Sequence, residues 1–137
     1  MRRFPGRVRE ERGDATLELA IAAPVLLLLV VGLLQFGLWY HAHQVALASA
    51  QEGARVAAAE GGRLSTGEAR TRTLLNAGLG SLGQGLAVGG TEGRGTVSVE
   101  VRGGIRMLFP WPGGGVLPVH ATAVAYKERF VPAEGSP

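Results

Sequence analysis

Residues 19–40 form an apolar stretch of 22 positions with no Asp, Glu, Lys, Arg or His, and Gln35 is its only strongly polar member. A helix needs roughly 20 such residues to cross about 30 Å of hydrocarbon, so the stretch predicts a transmembrane span. Past Tyr40 the pattern changes from Leu and Val to Ala, and the Ala-rich residues 41–60 favour helix strongly. Between residues 15 and 59 the strong breaker signals are Pro24, Gly32, Gly37 and Gly53. Membrane helices tolerate such residues, so one continuous helix of about 45 residues is predicted, its second half standing outside the bilayer. Pro24 predicts a bend in it, because the ring has no N–H for the carbonyl of Ala20 and crowds the same group.

Gly61-Gly62 predicts a glycine C-cap for this helix. A second, shorter helix follows, with Ser65 or Thr66 as its cap, Glu68 placed as in a capping box, and Ala69, Leu74, Leu75 and Leu79 as its apolar face. Residues 83–95 are Gly-rich and read as loop. Residues 96–102 alternate strictly, with Val97, Val99 and Val101 on one face, which predicts a half-buried strand. In residues 107–115 two prolines and three glycines interrupt large apolar side chains, so a loop is predicted. Two readings are open for Phe109 and Trp111: a lid folded over a thin sheet, or a contact for a partner or a membrane surface. The last strand spans residues 117–127, with Val119, Ala121, Ala123 and Ala125 on one face, small enough to let a sheet lie close against a helix. The fold class predicted is α+β: a long N-terminal transmembrane helix, a short helix and a small antiparallel sheet. The organisation is a charged leader (1–13) without apolar period and expected to be disordered, a long helix (14–60) and a small exported domain (61–137).

Charge orients the span. Arg2, Arg3, Arg7, Arg9 and Arg12 stand before it against Glu10 and Glu11, an excess that holds the N-terminus in the cytoplasm and exports the rest. The chain is thus expected in the inner or plasma membrane as a single-pass protein. A cleaved secretory signal fits less well, since its apolar region runs to about 15 residues and Glu18 stands at the head of this one. After the span, nine Lys or Arg are scattered against seven acids, without the basic stripe that phosphate recognition needs, so nucleic acid is not an expected partner. With no Cys, neither disulfides nor thiolate metal sites can stabilise an exported part near the lower size limit for a self-sufficient core.

Catalytic motifs are missing: there is no G-x-S-x-G or H-E-x-x-H, and the Gly-rich stretches lack the lysine of a phosphate loop. His41 and His43, two apart on a helix, point about 200° apart and cannot hold one metal together. No cofactor, metal or enzymatic activity is expected.

Arg12-Gly13-Asp14-Ala15-Thr16-Leu17-Glu18-Leu19-Ala20, followed by Pro24 inside the leucine run, Gln35-Phe36-Gly37 and Ala50-Gln51-Glu52-Gly53-Ala54-Arg55, resembles the TadE-like family of pilus assembly proteins. The ending over residues 119–128 is similar too. The resemblance implies a pilin-like fold and a pseudopilin-like minor component of a tight-adherence (Flp, type IVb) secretion machinery. Its implied partners are the lipid bilayer, a prepilin peptidase and other pilus assembly subunits. Such proteins are cut on the cytoplasmic side after a glycine, leaving a glutamate at the fifth mature position. Gly13, Asp14 and Glu18 stand in that relation, although an acidic first residue departs from what a pilin carries.

Glu18 has two physical readings. A carboxylate within a bilayer costs about 2.5 to 3.5 kcal/mol on insertion scales. Cleavage would create a compensating cation, the amine of Asp14, which Glu18 of a neighbouring subunit could meet to fix axial register. Alternatively Glu18 lies wet at the cytoplasmic interface, favoured by the positive end of the helix dipole. Three functions follow: a prepilin-like assembly subunit, an uncleaved membrane scaffold of the same system, or a signal-anchored exported binding domain or enzyme. The last would need a concave site with convergent polar groups. In all of them a reporter fused after Pro137 is active only outside the cytoplasm, and cytoplasmic activity of that fusion would refute the topology.

Overall fold

The computed structural model describes residues 10–111 and 114–128, with side chains for 15–109 and 114–128. The element order is α1 (Glu10–Ala58), α2 (Leu64–Leu79), a 3-10 turn (Gly80–Gly85), β1 (Leu86–Glu92), β2 (Thr96–Trp111) and β3 (Gly114–Tyr126). The three strands form one antiparallel sheet in the order β1-β2-β3. This is the α+β arrangement that the hydrophobic pattern predicts.

The chain divides into two compact units, residues 1–36 and 37–137. In the first, α1 is apolar on every side, with Leu19, Ile21, Val25, Leu27, Leu33 and Leu34 all exposed. A helix that is hydrophobic all round needs an apolar surrounding. Its most apolar 18-residue window has a mean hydropathy of 2.6 and none of it is buried by protein. Among the described residues α1 is one helix long and apolar enough to cross a membrane, and it fits a single-pass anchor. The helix passes through Pro24 without interruption. It also begins at Glu10, so the last residues of the expected disordered leader have helical backbone, while the rest of the leader lies outside the described residues.

The second unit takes in the remainder of α1, which serves there as a core element. Ala42, Ala46, Ala50, Ala54 and Ala58 recur every four residues on one face and are buried. Against them lie Val99, Val101 and Ile105 of β2, Val119, Ala121 and Ala123 of β3, and Leu75 and Leu79 of α2. Large side chains thus come from the sheet and α2, and small ones from α1. The inward faces of β2 and β3 are those expected from their alternation.

Four local expectations are corrected. α2 begins at Leu64, after an extended Arg63 with no side-chain cap, so neither Ser65 nor Thr66 caps it. The Arg63 carbonyl accepts the N–H groups of Thr66 and Gly67 instead, and Leu64 packs onto the core, which draws the helix start toward it. The buried face of α2 is Gly67, Thr71, Leu75 and Leu79, with Ala69 exposed, because its closest neighbour is the small-residue surface of α1. The Gly-rich 83–95 stretch contains β1, whose weak intrinsic preference is overridden by full pairing from Leu86↔Gly103 to Glu92↔Val97. Residues 107–111 and 114–115 are strand ends rather than a loop, with 112–113 outside the described residues: β2 continues to Trp111, which pairs with Gly114, and the register shifts between Arg106 and Trp111.

The α1–α2 crossing is a tight joint of the second unit. A Cβ on Gly53 would overlap the Thr71 hydroxyl and the Gly67 carbonyl, and one on Gly67 would overlap the Gly53 carbonyl and the Ala57 methyl. The Thr71 hydroxyl, buried there, donates to the Gly67 carbonyl at 2.9 Å and lies 3.2 Å from that of Ser49. Gly61, at φ 74°, ends the preceding helix in the left-handed region that glycine enters freely. Gly53→Ala is therefore expected to destabilise the protein by about 1–3 kcal/mol through overpacking. Gly37→Ala, with open space around its Cβ, is expected to be neutral or slightly stabilising; thermal midpoints of the detergent-solubilised variants make the comparison.

Candidate assembly segment

The residues that the sequence singles out fall in different places. Gly13 and Asp14 have helical backbone near the start of α1, and their side chains lie outside the described residues. Glu18 is exposed one turn further on. Phe109 is 53% exposed, and the side chain of Trp111 lies outside the described residues. The Gly13 to Glu18 segment belongs to the first unit and the Phe109 strand end to the second.

At the start of the second unit, Trp39 donates its indole N–H to the Pro118 carbonyl at 2.9 Å. Its ring stacks on His43 with centroids 5.8 Å apart. At the other end of the same helix the Glu128 N–H donates to the Ala58 carbonyl at 3.0 Å. β3 and α1 therefore run side by side in the same direction, tied at both ends. Neither tie is legible from periodicity. The first could have been suspected from a buried-face Trp needing an acceptor.

Ion pairs lie on the surface. Glu52 of α1 pairs with Arg55 and approaches Arg70 of α2 at 4.0 Å, and Lys127 pairs with Glu92. On the outer face of the sheet Glu100 meets both Arg102 and His120. Hydrogen bonds from Arg102, and then from His120, hold its carboxyl below the usual glutamate range. Among the described residues no group of three or more His, Asp or Glu could hold a metal. A depression of about 680 Å³ is lined by Ser81, Leu82, Gln84, Gly85, Arg106 and Val116. Convergent acid–base or nucleophilic groups are not found in it.

Residues 13–55 match the model of the family described as TadE-like protein. No curated protein and no solved structure matches the chain. The matched segment opens at Gly13 and closes at Arg55, within α1, and so covers the motifs that carry the resemblance. Over this segment the chain is similar to TadE-like proteins.

The Glu100 cluster gives a pH test. A carboxyl whose folded value is lowered contributes stability that is complete above the unfolded glutamate range, about 4.3, and fades as pH falls through the folded value. The wild type is thus expected to exceed Glu100→Gln in urea midpoint near neutral pH. The gap closes in acid, and a gap independent of pH would refute the assignment.

Proposed function

We propose that this protein is a non-enzymatic, pseudopilin-like component of a tight-adherence pilus assembly and secretion system. It is anchored by α1 with its N-terminus in the cytoplasm and its second unit exported. The observation that carries the reading is the match beginning at Gly13 itself, the residue after which a prepilin peptidase would cut. Cleavage there leaves Asp14 first and Glu18 fifth, directly ahead of the apolar span. The Arg-rich leader supports the orientation. The exposed, all-round apolar surface of α1 supports lateral packing against lipid or other subunit helices.

One observation favours a second reading, an uncleaved scaffold of the same system. The Gly13–Asp14 bond lies inside α1, whose first residue is Glu10. A peptidase acting on extended backbone must unwind that turn, which frayed helix ends permit at small cost.

The two readings separate on the mature mass of the membrane-bound protein. Gly13→Val is expected to retain the leader while inserting normally, since insertion depends on residues 19–40. Glu18→Ala is expected to be cleaved and inserted yet to lose piliation, because the partner of the new amine is gone. Identical masses for wild type and Gly13→Val, or normal piliation in Glu18→Ala, would leave the scaffold reading in its place.

A further inference from the structure

One part of the sheet's outer face carries cations that no acid matches. In β2 the positions alternating with the buried Val99, Val101 and Ile105 face outward, and there Arg102, Gly104 and Arg106 stand opposite His120, Pro118 and Val116 of β3. Glu100 is the one acid among the described outward positions of these two strands. Its Oε1 already accepts from Arg102 Nε and His120 Nε2. Bonding through Nε fixes the Arg102 guanidinium and leaves its two terminal amino groups, on a side chain 70% exposed, for a second carboxylate.

Arg106 lies four residues further along β2, about 13 Å away. It borders the depression of about 680 Å³ that Ser81, Leu82 and Gln84 of the 3-10 turn line together with Gly104 and Val116 of the strands. Turn and strand meet there backbone to backbone, since a Cβ on Gly85 would lie 2.5 Å from the Gly104 carbonyl oxygen. Among the described residues the side chains of Ser81, Gln84 and Arg106 bond to no other group, and no acid lines the depression. A hydroxyl, an amide and a guanidinium thus border one space suited to an anion, with Leu82 and Val116 as apolar walls.

We propose that this strip of the outer face binds an extended acidic peptide of a partner protein, one carboxylate on Arg102 and a second in the depression at Arg106. The spacing selects the ligand. Two cationic points about 13 Å apart exceed the reach of a single phosphate or carboxylate, whereas an extended chain presents its residues i and i+4 on one face at that distance. Between the two points Gly104 and Pro118 offer no ionic group, so the residue i+2 of the peptide is uncharged. The site lies wholly within the second unit and does not depend on how α1 meets a membrane.

The test uses the full-length chain in detergent and short fluorescein-labelled peptides whose binding is read by anisotropy. One peptide carries Glu-Ser-Val-Thr-Glu at its centre, a second carries Gln-Ser-Val-Thr-Gln, and a third has its two Glu side by side. The first is expected to bind about tenfold more tightly than either of the others. Arg102→Gln and Arg106→Gln are each expected to weaken it about fivefold. Arg72→Gln, which removes the same charge from the exposed surface of α2, is expected to leave it unchanged. Glu100→Gln is expected to weaken it as well, because Arg102 loses the group that orients it. All variants are compared well below their thermal midpoints, so that unfolding does not enter. Equal affinity for the Glu and Gln peptides overturns the proposal, as does an equal loss in Arg72→Gln. Tighter binding by Glu100→Gln overturns it too, since net charge alone then governs the contact. Inorganic phosphate binding as tightly as the first peptide overturns the choice of ligand, the depression then serving a single small anion.

Discussion

Side-chain size along α1 is the constraint on which everything else depends. One uninterrupted helix has to be tolerated by hydrocarbon over part of its length and to form a wall of a protein core over the rest. The backbone is the same throughout, so the change is made by composition alone. Leu, Ile and Val on all sides give way after Tyr40 to Ala, Ser and Gly on the inward face. Small residues let the sheet and α2 come close enough for Val99, Val101, Ile105 and Leu75 to reach across and fill the interior. A leucine face in the second half would hold them apart. An alanine face in the first half would weaken insertion into lipid.

The second unit has few other means of stabilisation. It carries no disulfide, and its charge pairs are on the surface, where each is worth little. Its order therefore rests on the close approach at Gly53, Gly67 and Thr71, and on the two ties that bind β3 to α1. This gives Gly53, which lies inside the segment shared with TadE-like proteins, a physical reason: the helix gives up propensity there because the crossing has no room for a methyl group.

Much of this was legible in the sequence, and the gaps have physical causes. The span, the Ala-rich continuation, the inward faces of β2 and β3 and the glycine end at Gly61 follow from periodicity and local chemistry. β1 is hidden because Ala87, Gly89, Gly90 and Glu92 carry little strand preference and are ordered by pairing with β2. The face of α2 is not legible from hydrophobicity, which marks Ala69 and Leu74, whereas the crossing buries Gly67 and Thr71. Residues 107–111 and 114–115 suggest a loop because Pro and Gly obscure strand ends whose register shifts between Arg106 and Trp111. For the candidate segment, Gly13, Asp14 and Glu18 were marked by their order ahead of the span. That the helix already includes them is a property of the backbone which charge and composition do not report.

The parallel course of α1 and β3 has a mechanical consequence. Both elements are bonded near Trp39 and again near Ala58, with the alanine seam between. Tension along α1 loads this seam in shear. Its contacts must then yield together rather than unzip in turn, so the domain resists such tension with the combined strength of the seam.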